Sequence, residues 1–259
     1  MPFLEIGDFR AHYALSGPAS APVLVLSNSL GTNFSMWDPQ IPALEKHFRV
    51  LRCDTRGHGQ SSVTPGPYRI EQLARDVLHL LDRLTIDRVH FCGLSMGGTI
   101  GMWLGTNAPE RLHKLVLCNT AARIGTAEVW NARIDAVSKG GMQSIAPAVI
   151  ERWFTPALRA AAPETVAHTQ RMIEASPPKG YAACCAALRD MDQRESISSI
   201  RVPTLVVCGA KDPATTVADG QFLADKISGA RLLELPTAHL SNIEAPERFS
   251  SEVLKFLIA

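Results

Sequence analysis

Apolar and polar positions fall into two rhythms along this chain of 259 residues. In the first half, short apolar runs alternate with stretches whose apolar residues recur at helical spacing. The runs are Val23-Leu24-Val25-Leu26, Arg49-Val50-Leu51-Arg52-Cys53, Val89-His90-Phe91-Cys92 and Lys114-Leu115-Val116-Leu117-Cys118. Unbroken apolar runs of this length are the mark of strands covered on both faces. Ahead of them, the alternation from Ile6 to Leu15 predicts an edge hairpin ending at Gly17-Pro18. Trp37, Ile41, Leu44 and Phe48 predict a helix over Trp37 to Phe48, and Leu73, Val77, Leu80, Leu81 and Leu84 predict one of about four turns over Ile70 to Leu84.

From Ile124 to Ser199 the rhythm is helical, punctuated by Pro156, Pro163 and Pro177-Pro178. Strand runs return at Thr204 to Cys208 and Arg231 to Leu235, with helices around Phe222 to Ile227 and from Pro246 to Ile258. Strands alternating with helices imply an α/β protein with a mostly parallel sheet. The expected organisation is a core of residues 1–123 and 200–259, interrupted by a helical lid of residues 124–199 laid over the C-terminal edge of the sheet.

Composition narrows the partners. A net charge of +1 and a pI near 7.7 provide no global field for nucleic acid or an anionic membrane, so a small ligand is the expected partner. The start, Met1 to Asp8, has no basic segment followed by an apolar one, and no apolar run approaches the roughly 20 residues that span a bilayer. A soluble, cytoplasmic protein is expected. Cys53, Cys92, Cys118 and Cys208 lie in or at the end of strand-like runs, and Cys184 and Cys185 are adjacent in a helical stretch. These are positions of core thiols, and without a C-x-x-C pair a metal site is not expected.

The apolar run at 89 passes through Gly93-Leu94-Ser95-Met96-Gly97 into Thr99-Ile100-Gly101-Met102-Trp103-Leu104. Gly-x-Ser-x-Gly between a strand and a helix is a turn too tight for bulky neighbours, which lifts the serine out of the sheet at a helix N-terminus. A serine hydroxyl is a weak nucleophile unless a base takes its proton and a third group holds that base. His239 and Asp212 fall on loops after the last two strand runs, where ligands collect in open α/β sheets. Asp190 and Asp192 compete for the acid role but lie in the helical stretch. His12, His47, His79, His90, His113 and His168 have no such placement. An oxyanion hole needs two donors, assigned to the backbone N–H groups of Met96, the residue after the serine, and Leu30, in the loop Ser27-Asn28-Ser29-Leu30-Gly31.

The serine turn, the string Asp54-Thr55-Arg56-Gly57-His58-Gly59-Gln60-Ser61, the acid in Gly209-Ala210-Lys211-Asp212 and the late His239 resemble the α/β-hydrolase family over essentially the whole chain. One departure is Asn28-Ser29 where that family usually carries His-Gly. The resemblance implies an eight-stranded, mostly parallel sheet flanked by helices, a Ser95–His239–Asp212 triad, and no cofactor. Finer strings, Leu26 to Thr32, Met36-Trp37-Asp38-Pro39-Gln40 and Lys211-Asp212-Pro213-Ala214-Thr215, look like the 3-oxoadipate enol-lactonase branch, whose members open an enol-lactone ring in aromatic catabolism through the β-ketoadipate pathway.

Such a substrate is a small lactone carrying a carboxylate, so a cation is expected in or under the lid. Arg133, one helical turn from Trp130, is the candidate, and Trp130, Arg133 and Asn28 are the expected substrate contacts. The same triad would equally serve a general carboxylesterase, a carbon–carbon bond hydrolase or a cofactor-free haloperoxidase or perhydrolase. A non-catalytic binding module on this fold would require a missing triad residue, and none of the three is missing.

Overall fold

The computed structural model describes residues 2–259. Its centre is a single eight-stranded sheet in the spatial order β1-β2-β4-β3-β5-β6-β7-β8. β1 (Phe3–Ile6) and β2 (Phe9–Ser16) form an antiparallel edge hairpin, and β2 pairs antiparallel with β4 (Arg49–Cys53). From there β3 (Val23–Ser27), β5 (Val89–Leu94), β6 (Leu112–Cys118), β7 (Thr204–Gly209) and β8 (Arg231–Leu235) are all parallel. Every residue of β5 is buried, which is why it reads as an apolar run with no polar face.

Because β4 and β5 flank β3 on opposite sides, the chain reverses direction across the sheet there, and such switch points open a crevice at the strand C-termini. Register sharpens this placement. Ser27 lies opposite Gly93, so the loop after β3 and the turn after β5 emerge side by side.

The first helix differs from its sequence-based expectation. In place of a continuous helix from Trp37 to Phe48 there is a 3₁₀ helix at Phe34–Gln40, capped by the Asn33 side chain, followed by one α turn, α1 (Ile41–Leu44). Pro39 and Pro42 each remove an N–H that an α-helix would use, which explains the tighter, broken path. The apolar spacing still reports burial, since Trp37, Leu44 and Phe48 are all core residues. α2 (Ile70–Arg83) matches its amphipathic pattern, burying Leu73, Ala74, Leu80 and Leu81. α3 (Met96–Asn107) leaves the serine turn.

Between β6 and β7 the chain forms α4 (Ala127–Gly140), α5 (Ala146–Trp153), α6 (Pro156–Ala161), α7 (Pro163–Glu174) and α8 (Pro178–Asp190). α4 packs along α8, and α5 against α7. After β7, α9 (Val217–Lys226) starts five residues earlier than its apolar pattern suggests, because Thr216 and Asp219 form a reciprocal cap that the pattern does not contain. α10 (Ser241–Glu244) and α11 (Pro246–Ile258) complete the chain. Among the described residues, no helix is long and apolar enough to cross a membrane.

Candidate active site

Ser95 occupies the turn between β5 and α3 with φ 56° and ψ −112°, a left-handed conformation that costs a non-glycine residue about 1–3 kcal/mol unless its surroundings fix it. They do so closely. The Ser95 N–H donates to the Cys118 carbonyl at 2.9 Å, and the Ser95 carbonyl accepts from Thr120 Oγ1 at 2.8 Å. The flanking glycines are dictated by approach: a Cβ on Gly97 would run into the Ser27 backbone, and one on Gly93 into the Gly97 carbonyl.

Asp212 and His239 meet on the neighbouring loops. His239 Nδ1 donates to Asp212 Oδ2 at 2.7 Å, and the pair is almost fully buried. The carboxylate also accepts from Thr215 Oγ1 at 2.7 Å, Asn119 Nδ2 at 3.2 Å, and the N–H groups of Ala214 and Thr215 at 2.8 and 3.1 Å. Burial alone would raise the Asp212 pKa. The His239 ring and this set of donors outweigh it and hold the group below the ordinary aspartate value. An ionised acceptor orients the ring with Nδ1–H towards Asp212, and His239 lines the same cavity as Ser95. Ser95 Oγ and His239 Nε2 make no direct hydrogen bond to each other; such contacts commonly tighten only around a substrate.

The Leu30 and Met96 N–H groups donate to no protein acceptor among the described residues, and Leu30 lines the cavity beside Ser95. Asn28 is placed differently from its expected role as a substrate contact. Its side chain is fully buried, accepting from Trp37 Nε1 at 3.1 Å and donating to the Cys53 carbonyl at 2.9 Å, while its own carbonyl accepts from the Gly97 N–H at 3.0 Å. Both ends of the amide brace the loop after β3, and Asn28 is not among the residues that line the cavity beside Ser95.

The cavity holds about 230 Å³. Ser95, His239 and Leu30 form its floor, and Trp130, Arg133, Arg152, Trp153 and Tyr181 reach it from the helical segment. Trp130 is held by its Nε1 donating to the Ile124 carbonyl at 2.6 Å, and the Arg133 guanidinium lies 5.0 Å from its ring centroid. Arg152, from α5, was not singled out in the sequence. A signal existed, since Arg152 follows the buried Val149 by three positions and so shares its face of the helix. Burial, followed by the like charge of Arg133, lowers the Arg152 pKa from its ordinary value. Among the described residues neither arginine forms a salt bridge, and the cavity lining contains no acidic side chain. The cavity thus brings two guanidinium groups without salt bridges together with a serine and an imidazole, an arrangement whose chemistry suits an anion beside an acyl-transfer group.

The competing acids lie elsewhere. Asp190 pairs with Arg189, and Asp192 with Arg194, both near the surface. His12 is buried against Asp54 at 2.7 Å and lines a separate cavity.

A family model described as alpha/beta hydrolase fold matches residues 22–246. The chain belongs to the α/β-hydrolase family. This α/β-hydrolase is 46% identical over 250 residues to 3-oxoadipate enol-lactonase 2 of Acinetobacter baylyi, covering 96% of this chain and 94% of that protein. It is 41% identical over 235 residues to 3-oxoadipate enol-lactonase 1 of the same organism, covering 91% and 88%. Among solved structures, the enol-lactonase from Burkholderia xenovorans LB400 superposes with a TM-score of 0.99 at 46% identity, covering all of both chains.

Proposed function

We infer that this α/β-hydrolase is a 3-oxoadipate enol-lactonase that works through an acyl-enzyme on Ser95. The observation that carries the reading is the pair of unpaired arginines, Arg133 and Arg152, in the same cavity as Ser95 and His239. A neutral ester gains nothing from two half-buried cations, whereas a lactone bearing a carboxylate relieves their mutual repulsion on binding. The relatives named for this activity supply independent support.

In this reading the carboxylate sits against Arg133 and Arg152 and turns the ring carbonyl towards Ser95. Ser95 Oγ attacks the carbonyl carbon while His239 Nε2 takes the hydroxyl proton, and Asp212 stabilises the imidazolium through Nδ1. The N–H groups of Leu30 and Met96 receive the oxyanion. The ring C–O bond then breaks, its electrons leaving as an enolate that takes the proton from His239 and tautomerises to the ketone. A water, deprotonated by His239, attacks the acyl carbon; the bond to Ser95 Oγ then breaks, Oγ takes the proton back from His239, and the open-chain acid is released. Conversion of enol to ketone makes ring opening effectively one-way.

The helices of residues 124–199 act here as the lid that selects the substrate, since they supply both arginines. The test is direct comparison of turnover of 3-oxoadipate enol-lactone and of p-nitrophenyl acetate. The reading predicts a kcat/KM for the lactone that exceeds that for the neutral ester by orders of magnitude. Slow lactone opening beside fast ester hydrolysis would instead identify a general carboxylesterase.

A further inference from the structure

The loop after β3 turns sharply at Ser29-Leu30-Gly31-Thr32. Gly31 has φ +81°, the value that the third residue of a type II turn requires, and the Thr32 N–H reaches back to the Ser29 carbonyl at 3.3 Å. Two buried side chains hold the peptide units on either side of Leu30. Thr32 Oγ1 donates to the Ser29 carbonyl at 2.8 Å. A trans peptide unit is planar, so fixing that carbonyl fixes the Leu30 N–H in the opposite direction. On the other side, the Gly31 N–H donates to His58 Nε2 at 3.0 Å.

His58 comes from the Asp54-to-Ser61 string and is completely buried, with Nδ1 facing the Arg56 carbonyl at 3.4 Å. That contact puts its proton on Nδ1 and leaves Nε2 as an acceptor. Neither Thr32 nor His58 lines the cavity. Ser176, just ahead of α8, adds a third anchor by donating to the Gly31 carbonyl at 3.0 Å.

We propose that Thr32 and His58 are positioning residues of the oxyanion hole, which clamp the peptide units flanking Leu30 so that its N–H is already aimed where negative charge develops. The inference rests on the reading of Leu30 as an oxyanion donor. A hydrogen bond that serves folding alone would leave transition-state binding untouched in any variant that folds. A clamp changes kcat and the affinity for tetrahedral adducts while sparing ground-state binding.

The experiment compares wild type with Thr32→Val, Thr32→Ser, His58→Phe and His58→Gln, reading kcat and KM for the lactone and inhibition by butylboronic acid and by adipate. Butylboronic acid forms a tetrahedral adduct on the serine and reports the oxyanion hole; adipate reports the arginine end of the cavity. Losing a well-placed oxyanion donor costs about 10²–10³ in kcat, so a misaimed one should cost roughly 10- to 100-fold. Thr32→Val and His58→Phe are expected to lose that much in kcat and in butylboronic acid affinity, with KM and adipate inhibition within about threefold of wild type. Thr32→Ser and His58→Gln, which restore a donor and an acceptor, should recover most of the loss.

Should His58→Phe fail to fold, the Thr32 pair carries the test alone. A folded Thr32→Val enzyme with unchanged kcat and butylboronic acid affinity overturns the clamp, as does an equal loss of butylboronic acid and adipate binding. Failure of the underlying reading looks different: butylboronic acid then does not inhibit wild type, or binds Ser95→Ala equally well.

Discussion

Replacing Arg152 by glutamine removes one of the two cavity cations while keeping a polar, though shorter, side chain. A hydrogen bond to a charged group contributes about 1.5–3 kcal/mol, and each 1.4 kcal/mol is about tenfold in an equilibrium constant. Arg152→Gln should therefore lower kcat/KM for the carboxylated lactone by about 10- to 150-fold, mostly through KM. Arg152 does not touch the reacting carbonyl in this account, so kcat/KM for p-nitrophenyl acetate should stay within about threefold. Stability should move the other way. Arg152 is half-buried with Arg133 beside it, and its lowered pKa records the cost of holding both charges there. Without ligand, the glutamine variant should denature at a urea concentration equal to or above that of wild type. Steady-state kinetics on both substrates, with urea melts of the same preparations, decide the matter. An unchanged KM for the lactone, or an equal loss on both substrates, would refute the assignment of Arg152 to the carboxylate.

Three further outcomes follow from the packing and electrostatics. Gly180→Ala would press a Cβ into the Gly57 carbonyl where α8 meets the Asp54-to-Ser61 turn, and should cost about 1–3 kcal/mol in urea melts; no change would mean that this seam is looser than described. His58 and His90 are held at about 4 by burial, below the ordinary value near 6.5, so the unfolded chain binds more protons as pH falls from about 6.5 towards 4, and stability declines through that window. Each should contribute roughly 2 kcal/mol of loss at pH 5 relative to pH 8, and His58→Gln should flatten the decline measured by urea melts across pH. Asn119, at φ 43°, links Asp212 Oδ2 to the Ala238 carbonyl; Asn119→Ala should cost about 1–3 kcal/mol of stability, and a neutral result in urea melts would show that the link contributes nothing.

Much of this was legible in the sequence, for identifiable reasons. A strand whose middle is covered has little choice but to be apolar there, so β4 reads at the residues where it occurs, while β8, an edge strand with exposed Arg231 and Glu234, reads from Leu232, Leu233 and Leu235. The amphipathic α2 did so to within a residue. The convergence of Ser95, Asp212 and His239 was readable because all three follow strand runs, and parallel strands bring the loops at their C-terminal ends together. Periodicity failed where local chemistry overrides it: the prolines that break the helix after Phe34, and the Thr216–Asp219 cap that starts α9 early. Asn28 was read as a ligand contact from its place in the right loop, but only the fold reveals that Trp37 and Cys53 consume its amide. Arg152 was hidden for the opposite reason. Arginines on helices are ordinarily solvated, and the spacing of Arg152 from Val149 is too common a signal to single it out without the cavity that it lines.

The most direct test of the central claim is lactone turnover by Ser95→Ala, measured alongside its urea melt. Ser95 packs through backbone hydrogen bonds that alanine preserves, so the variant should fold with unchanged stability apart from a gain or loss of a few tenths of a kcal/mol at the cavity floor. Its kcat should fall by about 10⁴-fold or more. A folded Ser95→Ala enzyme turning over the lactone within tenfold of wild type would contradict the acyl-enzyme account.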